Sequence, residues 1–364
     1  MQTELLSGQA PISQRKASSV IGAALRQNSI LCGLVATYFL AAIILSTAIS
    51  VPLFAGRLSS SFWMLLGLVP IFLLSMVIWR FAHMVAHVRP TRPIGWLIRD
   101  LRDLLITDRA RLASGAIAIL GIVFFAVIFS YVKEAIPLLN PFAWDEAFAE
   151  LDRLVHGGVD PYRLLLPALG NAAMFQIADL TYSTWFLLIY FFGFLAAMDR
   201  ENPDRRNTFL FAFILSWIIG GSILATLFSS VGPIYFQAFG FGDQFLPLKD
   251  MLMRINAETP LVAVELQAML LDGYQNSGGL GGISAMPSMH LATSWLMAFQ
   301  AFRYTRALGW TMVAFAIMIQ VSSVLLGWHY AIDGYFGFLV ALVCWICGAG
   351  LARLQARINR PVAP

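Results

Sequence analysis

Long apolar stretches alternate with short polar ones along most of the chain. A helix of about 20 apolar residues is long enough to cross the hydrocarbon core of a bilayer, and the pattern predicts about eight such helices. Their approximate ranges are 29–50, 61–80, 112–132, 178–198, 208–230, 287–303, 308–327 and 331–350. The chain is therefore predicted to be an all-α integral membrane protein.

Three longer segments interrupt this pattern. Residues 80–111 are basic and amphipathic, which is typical of a helix on the inner leaflet. Residues 231–286 are rich in glycine and polar side chains, with weak helical character near 247–273. In residues 133–177, apolar side chains recur at helical spacing among acidic ones, which predicts an amphipathic helix at the membrane surface. These apolar side chains are Phe142, Phe148, Leu151 and Leu154.

Composition supports the membrane assignment. The chain has 364 residues, of which 59% are hydrophobic and only 12% are charged, whereas about a quarter of the residues in soluble domains are charged. The net charge of +4 calls for no nucleic-acid partner, because membrane proteins collect Lys and Arg in their cytoplasmic loops. Membrane lipids are the expected surroundings.

The Lys and Arg residues indicate the orientation. With the N-terminus in the cytoplasm, eighteen of the 24 basic residues lie in inner segments and six in outer ones, as the positive-inside rule requires. Both termini are then cytoplasmic, and segments 133–177 and 231–286 are outside. We expect the inner membrane of a bacterium, with the active site on the periplasmic face. An N-terminal two-helix segment, 1–110, is predicted to precede a six-helix catalytic domain, 111–364.

Two short motifs place ionisable side chains at the ends of apolar helices. The stretch GGISAMPSMHLATSW, residues 281–295, contains His290, and GWHYAIDGY, residues 327–335, contains His329 and Asp333. His329 and Asp333 are four residues apart and therefore share one face of a helix. Topology puts all three side chains at the same membrane face. Ionisable groups at this depth are costly and usually functional.

Two histidines and one aspartate suit a nucleophilic displacement. One imidazole attacks while the carboxylate orients it, and the other imidazole donates a proton to the leaving group. Phosphoryl transfer fits such a pair. The Pro-Ser-Met-His turn also offers backbone N–H groups and the Ser288 hydroxyl at a helix N-terminus, which is an anion-binding arrangement.

The sequences PSMH and HYAID resemble the second and third signature motifs of the type 2 phosphatidic acid phosphatase superfamily, P-S-G-H and S-R-x5-H-x3-D. The resemblance implies a core helix bundle of that kind in the C-terminal two-thirds of the chain. It makes His329 the nucleophile that forms a phosphohistidine, Asp333 its orienting partner and His290 the proton donor. Ser288 would contact the phosphate, and no cofactor is implied.

The chain departs from the family pattern at one glycine and at the basic residues. Met289 stands where the family has Gly, and Ser323 where it has Arg. No counterpart of the first motif, K-x6-R-P, is evident on the outer face before the sixth helix. Lys249 and Arg254, in the loop before PSMH, are the first candidates for binding the phosphate. The other cations of that face are Lys133, Arg153 and Arg163.

The segments LDRLVHGGVDPYRLL and GPIYF, together with PSMH and HYAID, resemble the inositolphosphotransferase branch, which includes inositol phosphorylceramide synthase. This implies a lipid phosphate or phospholipid substrate and an alcohol acceptor, with water as acceptor if the protein is a phosphatase. No metal is expected, because the outer-face carboxylates lack ligand spacing. The alternative is a non-enzymatic lipid-binding or transport protein with a degenerate site.

Overall fold

The computed structural model describes residues 12–53, 57–199, 201–276 and 282–360, and the regular elements in these residues are all helical. In chain order the α-helices are α1 (Ile12–Gln27), α2 (Ser29–Ile49), α3 (Arg57–His83), α4 (Pro93–Thr107), α5 (Arg109–Leu139), α6 (Asp145–Val155), α7 (Pro161–Leu169), α8 (Ala172–Ala197), α9 (Pro203–Ile218), α10 (Ala225–Leu227), α11 (Leu246–Glu258), α12 (Val262–Asn276), α13 (Met289–Phe302), α14 (Arg306–Leu325) and α15 (Ala331–Asn359). Short π-helical turns at Met84–Val88 and Ile219–Leu224 extend α3 and α9.

Seven helical spans in the described residues are long and apolar enough to cross a membrane. They are Ser29–Ile49, Gly67–Val88, Arg109–Leu139, Ala172–Ala197, Pro203–Leu227, Arg306–Leu325 and Ala331–Asn359. The eighth predicted span, 287–303, is α13, which has only 14 residues and a length of about 21 Å. The all-helical membrane fold is confirmed, and the full-length spans number seven in these residues because α13 is too short.

Close helix contacts hold the C-terminal part of the bundle together. Helix α15 packs against α9 and α13, and α13 also packs against α14. A side chain at Gly337 of α15 would lie 2.6 Å from the Ser288 carbonyl oxygen, and one at Gly348 would lie 2.7 Å from the Thr208 carbonyl oxygen. Small residues let helices approach in this way within a membrane. Helices α1, α2 and α3 pack against α5.

In segment 133–177, helix α6 has one exposed apolar face and one buried acidic face. Helix α6 leaves Leu151 and Leu154 largely exposed, while Asp145 and Asp152 are buried on its opposite face. Phe142 precedes the helix, and only Phe148 of the predicted apolar set on α6 is buried. The expected amphipathic helix is present, but its acidic side faces the protein because backbone N–H groups there need acceptors.

Segment 231–286 contains α11 and α12, in agreement with the helical character predicted near 247–273. Segment 80–111 contains α4, none of whose residues is buried. The ends of α5 and α9 and the starts of α8, α13 and α15 meet α6 and α12 at one end of the bundle. We call this end the site end, because both motif histidines lie there.

Candidate functional site

His329 and Asp333 form a hydrogen-bonded pair at the start of α15. Asp333 Oδ2 lies 3.2 Å from His329 Nδ1 and accepts a hydrogen bond from the backbone N–H of Tyr330 at 3.1 Å. Since a carboxylate only accepts, His329 donates from Nδ1 and keeps the lone pair of Nε2 free for another partner. Both side chains are buried. The carboxylate therefore fixes the orientation and the tautomer of the imidazole.

Two buried carboxylates of α6 hold the backbone around this pair. Asp152 accepts hydrogen bonds from the N–H groups of Ala331 and Ile332, the first two residues of α15, at 3.0 and 3.1 Å. Asp145 accepts from the Tyr330 hydroxyl at 2.9 Å. Burial raises the pKa of both aspartates, and the hydrogen bonds from N–H groups partly offset this effect. A carboxylate at a helix N-terminus also interacts favourably with the helix dipole.

The segment VGPIYF, residues 231–236, packs directly against the residues before His329. Asp145 also accepts from the N–H groups of Val231 and Gly232. Gly232 has a φ of 88°, and a side chain there would lie 2.6 Å from the Trp328 carbonyl oxygen. Only glycine combines this left-handed backbone with so close an approach. The segment therefore packs against the backbone just before His329 and limits its movement.

His290 lies in the first turn of α13 among aromatic rings of α8. Its Nδ1 shares a hydrogen bond of 2.9 Å with the Tyr182 hydroxyl. The centroid of its ring lies 4.2 Å from that of Tyr182 and 3.9 Å from that of Trp185. The hydroxyl and the two rings hold the imidazole in one position at the start of α13. Neither Tyr182 nor Trp185 was among the residues predicted for the site.

His290 and His329 face one cavity of about 440 Å³, and their ring centroids are 6.0 Å apart. Lys133 of α5 lines the same cavity and is its only Lys or Arg among the described residues. Glu134 and Ser284 add polar groups near this end. The site end of the cavity thus combines two imidazoles and one ammonium group, which can bind an anion, with the carboxylate of Glu134 beside the ammonium group.

The structure separates the other predicted phosphate-binding residues from this cavity. Ser288 is fully buried and caps α13, because its hydroxyl accepts from the Leu291 N–H. Lys249 and Arg254 lie on α11, and neither lines the cavity. Lys249 and Arg254 were predicted because they lie close to PSMH in the sequence. In the structure it is α5, with Lys133, that lines the cavity beside the histidines.

A sequence signal for Lys133 does exist. Residues 133–141 read KEAIPLLNP, a K-x6-N-P pattern that differs from the K-x6-R-P motif only at Asn140. The Asn140 amide donates to the Thr226 carbonyl oxygen at 2.8 Å and does not line the cavity. The asparagine therefore ties the end of α5 to α10, and the lysine alone brings positive charge from this motif.

Comparison with known proteins agrees with these motifs. A family model described as the PAP2 superfamily matches residues 146–347, which is more than half of the chain. The matched region runs from α6 into α15 and includes His290, His329 and Asp333. No curated protein matches the chain, and no solved structure does so.

The two hydrogen bonds of Asp152 yield a stability prediction. Replacing Asp152 by Ala leaves the N–H groups of Ala331 and Ile332 without their acceptor, which should lower the free energy of unfolding by about 2 to 4 kcal/mol. Thermal unfolding in detergent, followed by circular dichroism, measures the change. The control is Glu150→Ala on the exposed side of the same helix, which should change the transition little. Equal transitions for the two variants would contradict the anchoring role.

Proposed function

Because the chain belongs to the PAP2 superfamily, we propose that it is a histidine-dependent phosphotransferase or phosphatase that forms a phosphohistidine intermediate. The superfamily comprises phosphatases and phosphotransferases of lipid phosphates. The observation that carries the proposal is the cavity shared by His290 and His329, with Asp333 bound to His329 Nδ1. This arrangement supplies a nucleophile, an orienting carboxylate and a second imidazole.

In the first step, His329 Nε2 attacks the phosphorus atom of the lipid. The phosphorus–nitrogen bond forms as the bond from phosphorus to the lipid oxygen breaks, and His290 gives that oxygen its proton. Asp333 stabilises the positive charge that develops on His329. Lys133 balances the negative charge of the phosphoryl oxygens, which is the main task in this type of transfer.

In the second step, an oxygen nucleophile attacks phosphorus and the phosphorus–nitrogen bond breaks. His290 is then the base that removes the proton of the nucleophile. Water would release inorganic phosphate when the substrate is a lipid phosphate, and the phosphorylated headgroup when it is a phospholipid. An alcohol would yield a new phospho-lipid. The resemblance of PSMH and HYAID to the inositolphosphotransferase branch favours an alcohol acceptor.

The proposed setting follows from the sequence predictions. Segment 1–110 would be an accessory membrane segment and 111–364 the catalytic domain. The positive-inside distribution supports an active site on the periplasmic face of a bacterial inner membrane. A non-enzymatic lipid carrier with a degenerate site is the rival proposal, and it predicts that the loss of His329 leaves lipid binding unchanged.

The role of His329 gives the first activity test. The change His329→Ala should lower turnover by roughly 10³-fold or more, because the covalent route is lost. Purified protein is given radiolabelled lipid phosphates and phospholipids, with and without inositol, glycerol or ceramide, and both free phosphate and new lipids are followed. His87→Ala, which removes an exposed histidine on the π-helical turn after α3, is the control.

New lipid that appears only with an acceptor identifies a phosphotransferase, and free phosphate without one identifies a phosphatase. Unchanged turnover in His329→Ala would refute the nucleophile assignment. Absence of both products across the panel, with lipid binding intact, would favour the carrier.

The role of His290 depends on the leaving group. With a lipid alkoxide, His290→Ala should reduce formation of the phosphoenzyme by roughly 10²-fold or more, because general acid catalysis contributes this much. With a nitrophenyl phosphate, whose phenolate needs no proton, the reduction should be far smaller. Acid-labile phosphoenzyme is measured in a single turnover. If neither leaving group yields phosphoenzyme, the two histidines have been assigned in the wrong order.

The role of Lys133 is tested by comparing its loss with the loss of Lys249, which the sequence had suggested as a phosphate-binding residue. Lys133→Gln removes the only Lys or Arg among the described cavity residues and should lower kcat/KM about 100-fold, the value of one charge-assisted hydrogen bond. Lys249→Gln removes an equal charge outside the cavity and should change kcat/KM by less than about threefold. The reverse order of effects would show that α11 supplies the phosphate-binding cation.

A further inference from the structure

The cavity extends well beyond the histidines, between the long apolar helices α5, α8 and α9. On α5 it is lined from Lys133 to Phe125, and on α8 from Tyr182 to Tyr190. Eight residues of an α-helix rise about 12 Å. The part of the cavity farther from the site end, which we call the chain pocket, is lined by Phe125, Ala126, Phe129, Ile189, Tyr190, Phe213 and Trp217.

Charge is confined to the site end of this cavity. Among its described lining residues the only ones with charged side chains at neutral pH are Lys133 and Glu134, and both histidines lie at the same end. The chain pocket presents aromatic and aliphatic surface, with the Tyr190 hydroxyl and the Trp217 indole N–H as polar groups. A ligand that fills the whole cavity therefore has a polar end and an apolar end.

Aromatic contacts hold the walls of the chain pocket in place. The rings of Phe129 and Trp217 pack edge to face at 4.7 Å, and Trp217 also contacts Phe213 and Trp185. Gly221 faces this cluster, since a side chain there would lie 2.8 Å from the Phe129 ring. Rings packed against one another have few alternative rotamers, so the pocket is formed before a ligand enters.

The size of the cavity limits what it holds. A volume of about 440 Å³ lies in the lower half of the range for sites that bind drug-sized ligands. An elongated cavity of this size suits a phosphate with one apolar chain. Leu266 and Met269 of α12 line the cavity and are also exposed, so the cavity reaches the surface of the bundle beside α12.

We propose that the chain pocket binds one apolar chain of the lipid substrate and makes the enzyme selective for the length of that chain. The inference rests on the proposed function, because the phosphate at His329 and Lys133 fixes where the chain begins. Any second chain leaves through the opening beside Leu266 and Met269. In bilayer or micelle a chain gains little from leaving one apolar medium for another, so selectivity arises from packing against the rings.

The first experiment shortens the chain pocket. Ala126→Phe adds a ring about 10 Å from Lys133 along α5, and Ala116→Phe makes the same change at an exposed position of the same helix. Lipid phosphates with short, medium and long saturated chains are compared at equal mole fraction in mixed micelles. Ala126→Phe should lower kcat/KM for long chains relative to short ones about tenfold, and Ala116→Phe should leave this ratio unchanged. An equal effect of Ala126→Phe on all chains would overturn the inference.

The second experiment needs no turnover and uses the native tryptophan of the chain pocket, Trp217. A lipid phosphate with a brominated chain should quench tryptophan fluorescence saturably at low mole fraction, and the same lipid without bromine should reverse the quenching. Trp217→Phe should remove most of the saturable part, whereas Trp310→Phe, at an exposed position of α14, should retain it.

The two experiments separate the two proposals. Saturable quenching through Trp217 without any turnover would retain the chain pocket and reject the proposed function. Turnover that ignores chain length, with no saturable quenching through Trp217, would retain the proposed function and reject the chain pocket.

Discussion

The candidate site depends on the constraint that a carboxylate buried in an apolar protein must have hydrogen-bond partners. Asp145 and Asp152 of α6 meet this constraint with backbone N–H groups and one hydroxyl. Their partners lie on both sides of His329, in VGPIYF and at the start of α15. Because neither carboxylate can move without leaving donors unpaired, the intervening backbone is fixed, and the imidazole is fixed with it.

The two histidines have different neighbours, which suits them to different tasks. His329 is bound to a carboxylate, Asp333, which keeps one ring nitrogen protonated and the other basic. His290 has a tyrosine hydroxyl and two aromatic rings instead. Different surroundings of this kind give similar titratable groups different roles, and the proposed roles are nucleophile for His329 and proton donor for His290.

Periodicity and motif spacing predicted the helical membrane fold, the meeting of His290 with His329, and the pairing of His329 with Asp333. These features are local or follow from topology, so the sequence contains them directly. The lysine that lines the cavity was harder to predict. Lys133 lies about 150 residues before His290, and only the packing of α5 brings the two side chains to the same cavity. Helix α6 was predicted as an amphipathic helix at the membrane surface, and its exposed Leu151 and Leu154 agree with this, whereas the burial of Asp145 and Asp152 was not predicted. Hydrophobicity indicates which side chains avoid water, and it does not distinguish lipid from protein as their surroundings.

The shortness of α13 sets the depth at which the reaction would occur. At its far end Arg303 is paired with Asp204, as expected near a polar surface, and His290 lies about 20 Å from that level. The hydrocarbon core of a typical bilayer is about 30 Å thick. The reacting phosphate would then lie below the ordinary headgroup plane, in a local depression of the membrane. Activity would consequently respond to the thickness of the host bilayer, with thinner membranes bringing headgroups closer to the histidines.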